Sequence, residues 1–140
     1  MGLVAGLTTP FLLATLERIK GQSSVRELTS SFRYARSQAI TQKIPFEFHV
    51  SIDNNRYWLK NLETNEISEI RKLDPAIRIT QFSDEEQNLY KGSFFIVFYP
   101  QGNSSGGAIF FDSKTNNGGK SRYSIHLDAV TGKPYVEQPT

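Results

Sequence analysis

The chain has 140 residues, a net charge of +2, 38% apolar residues and no cysteine. Its length suits one domain with an appendage. The mild charge gives no reason to expect nucleic acid or an anionic membrane as an obligatory partner. The missing cysteines exclude disulfides, zinc–thiolate sites, iron–sulfur clusters and cysteine nucleophiles.

Residues 3–16 are dominated by Leu3, Val4, Ala5, Leu7, Phe11, Leu12, Leu13, Ala14 and Leu16, with no charge before Glu17. The run is shorter than the ~20 apolar residues that cross a bilayer. It has neither the basic start nor the small-x-small cleavage site of a secretory signal. Two readings stand: a buried core helix, or the far part of a membrane helix whose front lies upstream of Met1. The second is the stronger expectation. Pro10 fits either, because helices packed in lipid or protein tolerate a kink.

Helical periodicity continues to Gln42. Leu12, Leu16 and Ile19 form one apolar stripe, and Val25, Leu28, Phe32, Ala35 and Ala39 form a second. Projected backwards, the second stripe meets Gly21 and Arg18, so the two do not share a face. The change falls at Gly21-Gln22-Ser23-Ser24, a weak helix segment. The pattern predicts either one helix with two faces or two helices joined at Gly21. Between Glu17 and Lys43, six cations (Arg18, Lys20, Arg26, Arg33, Arg36, Lys43) oppose two anions (Glu17, Glu27), a local net of +4. A solvated helix face is the plain reading of that excess. Anionic headgroups or a nucleic acid backbone are the functional ones.

From Ile44 the period changes to two. Phe46, Phe48, Val50 and Ile52 alternate with Glu47, His49 and Ser51, as in a half-buried strand. Asp53-Asn54-Asn55 signals a turn. Further strands are expected at 57–62, 67–73 and 77–79. Ser93 to Tyr99 is dense enough in apolar residues to predict a central strand. Strands at 108–111 and 123–127 and a closing hairpin to 136 complete the series. Loops of small residues fall at 100–107 and 113–121. A helix followed by antiparallel strands gives an α+β class. The division is 1–42 for the helix and 43–140 for a β-rich domain.

Catalytic patterns fail on context. His49 and His126 lie in strands with no zinc spacing around them. Asp84, Glu85 and Glu86 lack the spacing of a calcium loop. Gly119-Lys120-Ser121 has Lys114 where a phosphate-binding loop needs its first glycine. Gly102-Asn103-Ser104-Ser105-Gly106 matches Gly-x-Ser-x-Gly, but a strand follows where a nucleophile elbow needs a helix. The chain is therefore expected to be no enzyme, with no catalytic residues, metal or cofactor.

Four segments resemble the type IV pilin-like family, and within it the H-type minor pseudopilins of type II secretion (GspH) and the FimT-like minor pilins. Gly2-Leu3-Val4-Ala5 through Pro10 is similar to the second half of the hydrophobic pilin helix. Phe32-Arg33-Tyr34-Ala35-Arg36-Ser37-Gln38-Ala39-Ile40 resembles the subgroup's L-x-x-A-R-S-x-A-I segment, with Phe32 for Leu. Phe98-Tyr99-Pro100-Gln101-Gly102, with Gly106, resembles F-x-P-x-G-x-x-x-G, and Thr131-Gly132 resembles a late T-G turn. The prepilin cleavage motif is not in the sequence, and the expectation is a hydrophobic helix truncated at its N-terminus.

The resemblance implies a long N-terminal helix packed on antiparallel β-sheets, inner-membrane anchoring before assembly, and a periplasmic domain. It implies assembly through Leu12, Leu16 and Ile19, and helix–sheet packing through Val25, Leu28, Phe32, Ala35 and Ala39. The small Ala35 and Ala39 would let the sheet approach closely. Partner-facing loops would include Gly102, Asn103, Ser104 and Ser105, and Asn116 and Asn117. The implied partners are other minor and major pseudopilins, at the pseudopilus tip, and exported proteins. The alternative is a FimT-like pilin contacting DNA. The C-terminal segment 133–140, with one cation and one anion, does not favour it.

Overall fold

A computed structural model describes the backbone of residues 2–114 and 120–137, and the side chains of residues 22–113 and 121–137. Helix α1 runs unbroken from Gly2 to Gln42, through both Pro10 and Gly21. At 1.5 Å per residue it is about 60 Å long. The one-helix reading therefore holds over two helices joined at Gly21. Its end is built by Lys43, in the left-handed region at φ 59°. The Ile44 N–H donates to the Ala39 carbonyl at 3.2 Å, and Ile44 packs on the core. That is the bond pattern of a Schellman stop, and Pro45 prevents any continuation. Among the described residues, no helix is long and apolar enough to cross a membrane.

Among the described residues nine strands follow: β1 Phe46–Ser51, β2 Arg56–Asn61, β3 Arg71–Lys72, β4 Ile77–Ser83, β5 Asn88–Leu89, β6 Ser93–Phe98, β7 Gly107–Lys114, β8 Lys120–Leu127 and β9 Pro134–Glu137. They make two antiparallel sheets, in the orders β3-β2-β1-β6 and β5-β4-β7-β8-β9. The fold is α+β, one long helix on two antiparallel sheets.

The core lies where helix and sheets meet. Leu28, Phe32, Ala35 and Ala39 are fully buried against Phe48 and Val50 of β1, Ile96 and Phe98 of β6, and Ile109, Phe111 and Ile125 of the second sheet. Phe32 stands 4.3 Å from Phe48 and 6.2 Å from Phe98, ring centre to ring centre. Phe82 stacks on Phe94 at 4.0 Å, joining the two sheets. Residues at helical spacing on α1 and at every second position on the strands thus fill one volume. Burying a side chain of this size stabilises by about 2 kcal/mol.

Two expectations about strands are corrected. Segment 67–73 is largely irregular, held by one bridge between Ile67 and Lys60 and by the two-residue β3. Ile67 and Ile70 are exposed, so burial gave no reason to extend it. Ser93–Phe98 is an edge strand, not a central one. Only Phe94, Ile96 and Phe98 face the core, while Phe95 is 50% exposed. Its free edge is covered locally: Ser105 N–H donates to the Val97 carbonyl, and Val97 N–H donates to Ser105 Oγ, both at 2.9 Å. A covered edge resists pairing with other chains.

Candidate functional site

Three segments distant in sequence converge at the C-terminal end of α1. The Arg36 Nε–H is shared between the carbonyl oxygens of Gly102 and Thr131, each at 2.9 Å. Gly132 lies against the Gly102 backbone so closely that a Cβ there would sit 2.1 Å from the Gly102 oxygen. Its φ of +69° also favours glycine. Ser104 completes the joint. Its Oγ–H donates to the Asp128 carbonyl at 3.0 Å and its N–H to the Ala129 carbonyl at 2.9 Å. Asp128 in turn shapes the β8–β9 turn, its Oδ1 accepting from the N–H groups of Val130 and Thr131. A charged donor held between two carbonyls is among the stronger polar contacts available to a chain. The helix, the β6–β7 loop and the last hairpin are thereby clasped together.

The two flanks of α1 differ. Toward β2 runs a groove of about 410 Å³ lined by Glu27, Tyr34, Tyr57, Leu59 and Arg71 among others. Its Glu27 is matched from within: the Tyr57 hydroxyl donates to Glu27 Oε1 at 3.0 Å, and Arg71 lies 3.7 Å from the same oxygen. Burial pushes the Tyr57 phenol above its ordinary pKa, with the Glu27 carboxylate adding to the rise and Ser31 opposing it. Toward β9 runs a trough of about 460 Å³ past Val25, Arg26, Thr29, Arg33, Tyr123 and Val136. A neighbouring hollow lined by Arg33, Arg36, Lys133 and Pro134 continues it.

The outer sheet faces carry aromatic ladders. His49 stacks on Trp58 at 5.5 Å and touches Phe95 at 5.3 Å, across three adjacent strands. His126 stacks on Tyr135 at 5.0 Å. Ser124 Oγ and Glu137 both approach the same His126 nitrogen, at 3.1 and 3.3 Å. A serine–histidine–carboxylate relay needs the two partners on opposite ring nitrogens. Among the described residues, no cluster of side chains suits a metal ion.

Of the residues singled out by sequence, Val25, Leu28, Phe32, Ala35 and Ala39 are buried in the core. Gly102 and Ser104 are buried within the clasp, Asn103 is half-buried and Ser105 is exposed. The side chains of Leu12, Leu16 and Ile19, and residues Asn116 and Asn117, lie outside the described residues. The structure adds Arg36, Thr131 and Gly132 as one unit. Their spacing along the chain, 66 and 95 residues from Arg36 to its two acceptors, hides the contact from any local pattern.

The model for the type II transport protein GspH matches residues 24–131. The chain belongs to the GspH family. The matched span starts one residue before Val25 of the buried stripe and ends on the threonine that accepts from Arg36. Two crystal structures of the minor pseudopilin EpsH from the type II secretion system of Vibrio cholerae share the fold. One has a TM-score of 0.65 at 10% identity, covering 85% of this chain and 97% of that one. The other has 0.64 at 9%, covering 86% and 97%. No curated protein sequence matches the chain. At such low identity the shared feature is the fold, and this GspH-family chain keeps it through its own core and clasp.

Proposed function

We propose that the protein is a minor pseudopilin of a type II secretion system, acting by assembly at the periplasmic side of the inner membrane. The observation that carries this is the GspH family match over residues 24–131, which takes in the rear of the helix, strands β1 to β8 and the clasp as far as Thr131. The helix-on-two-sheets fold supports it. The finer assignment is as follows. The front of α1, with Leu12, Leu16 and Ile19, anchors the subunit before assembly and packs on neighbouring helices afterwards. The stripe from Val25 to Ala39 fixes residues 43–140 to that helix, so a push on the helix moves the whole domain. The subunit works beside other minor and major pseudopilins near the tip, and the exposed loops meet partners or exported proteins.

The test is secretion. Deleting the coding sequence in its native host should block export of type II substrates while they accumulate in the periplasm. Restoring the full-length protein should restore export. Normal export after deletion would overturn the proposal.

A further inference from the structure

We infer that the trough between α1 and β9 is a docking groove for an acidic, extended segment of a neighbouring pseudopilin subunit. The inference rests on the assembly reading above and names the partner chemistry at one surface.

Arg26 and Arg33 are exposed and lie seven residues apart on α1, about 10 Å along one side. Lys133, exposed at the start of β9, faces the hollow that Arg33 shares. Among the described residues none of these three makes an ion pair, whereas Glu27 on the opposite flank is matched by Arg71 and Tyr57. The trough offers apolar contacts at Val25, Tyr123 and Val136, set among the polar Gln22, Thr29 and Ser30. A ligand that fits must bring negative charges spaced along a strand or turn, and side chains that pack on a mixed polar and apolar lining. An acidic peptide segment has both.

Other occupants fit less well. An anionic bilayer surface would have to reach from Arg26 to Lys133, beside Arg36 at the far end of the domain. With α1 entering the bilayer end-on, as the assembly reading has it, Arg36 lies about 15 Å farther from that surface than Arg26, beyond the Debye length of ~8 Å at physiological salt. A nucleic acid would use phosphates, but among the described residues that line the trough the one aromatic, Tyr123, is half-buried and poorly placed to stack on bases.

The experiment uses the full-length protein in secreting cells. A carbodiimide joins an amine directly to a carboxylate within contact distance, with loss of water, so Lys133 reports its own partner. Arg33→Lys adds a second reporter. The expected result is a cross-link from each to Asp or Glu of another pseudopilin, located by mass spectrometry. Arg26→Glu with Arg33→Glu should remove the Lys133 cross-link and reduce export about tenfold or more, the size of losing close charge pairs. Because both positions are exposed, the variant should keep its unfolding midpoint, which separates loss of docking from loss of fold.

Absence of subunit cross-links, with export unchanged in the charge-reversed variant, would overturn the docking groove. If deletion of the whole protein still blocked export, the assembly reading would survive that failure. If deletion left export intact, both would fall together. Binding of the purified protein to phosphatidylglycerol vesicles or duplex DNA, abolished by the same reversal and without subunit cross-links, would also overturn it.

Discussion

Arg36 and Arg33 lie less than one helical turn apart, yet they belong to different regions of the molecule. Arg36 is half-buried and holds two carbonyls from distant loops. Arg33 is exposed at the rim of a basic trough. The clasp region is closed, with its charge spent on the chain's own backbone. The trough region is open, with charge left for something outside. A sequence segment that resembles one family signature therefore contains both an internal fastening and an external surface. The two lie only about 60° apart around the helix and both line the hollow beside Lys133. The difference is that Arg36 alone lies within reach of the Gly102 and Thr131 carbonyls.

Mutations can break or sharpen this contrast. Phe32→Ala sets the scale, because Phe32 is fully buried between Phe48 and Phe98 and serves both regions. It should cost about 4 kcal/mol in urea unfolding. A loss below about 1 kcal/mol would mean that α1 is not fixed to the sheets through this ring.

Gly132→Ala attacks the clasp alone. The added Cβ would sit 2.1 Å from a backbone oxygen, at a φ of +69° that side chains avoid. A cost of about 3 kcal/mol is expected from these two effects together. Arg36→Met should follow at about 2 kcal/mol, the worth of a charged donor lost from partly buried acceptors. Arg36→Lys should recover little, since an ammonium cannot reproduce the planar donor. If Lys restored full stability, the clasp would be a matter of charge and not of geometry.

Tyr57 tests the matched flank through pH. The folded state holds the phenol proton more tightly than the unfolded state does. The corresponding stabilisation is complete below the ordinary phenol pKa of about 10 and is lost as pH rises through the raised folded value. Tyr57→Phe should therefore remove part of the alkaline loss of stability, measured by denaturant titration from neutral to alkaline pH. An unchanged alkaline profile would assign that loss to other groups.

Arg33→Ser should be the smallest effect, within about 0.5 kcal/mol by the same unfolding measurement. A larger loss would show that the trough is tied to the fold as the clasp is, and the contrast would disappear.

Sequence periodicity placed the buried stripe on the helix because helical spacing and apolarity are local properties. The same holds for β1, where Phe46, Phe48 and Val50 alternate with polar neighbours. It failed on Ser93–Phe98, where a run of apolar residues looked central. Phe95 and Val97 instead cover the outside of an edge strand, with Phe95 resting on His49. It failed again at 67–73, since neither Ile67 nor Ile70 finds a core to enter.

By itself the sequence determined helical periodicity to Gln42, the succession of helix and then strands, the buried stripe and the family resemblance. Each of these depends on neighbours within a few positions or on short motifs. That the helix runs unbroken through Gly21 came from the structure. Only the tertiary structure decided which strands lie at edges, which arginine is spent internally and which remains outside, and that three separate motifs form one joint. These depend on contacts between residues tens of positions apart, whose closeness comes from folding the whole chain around one core. No local pattern encodes that closeness.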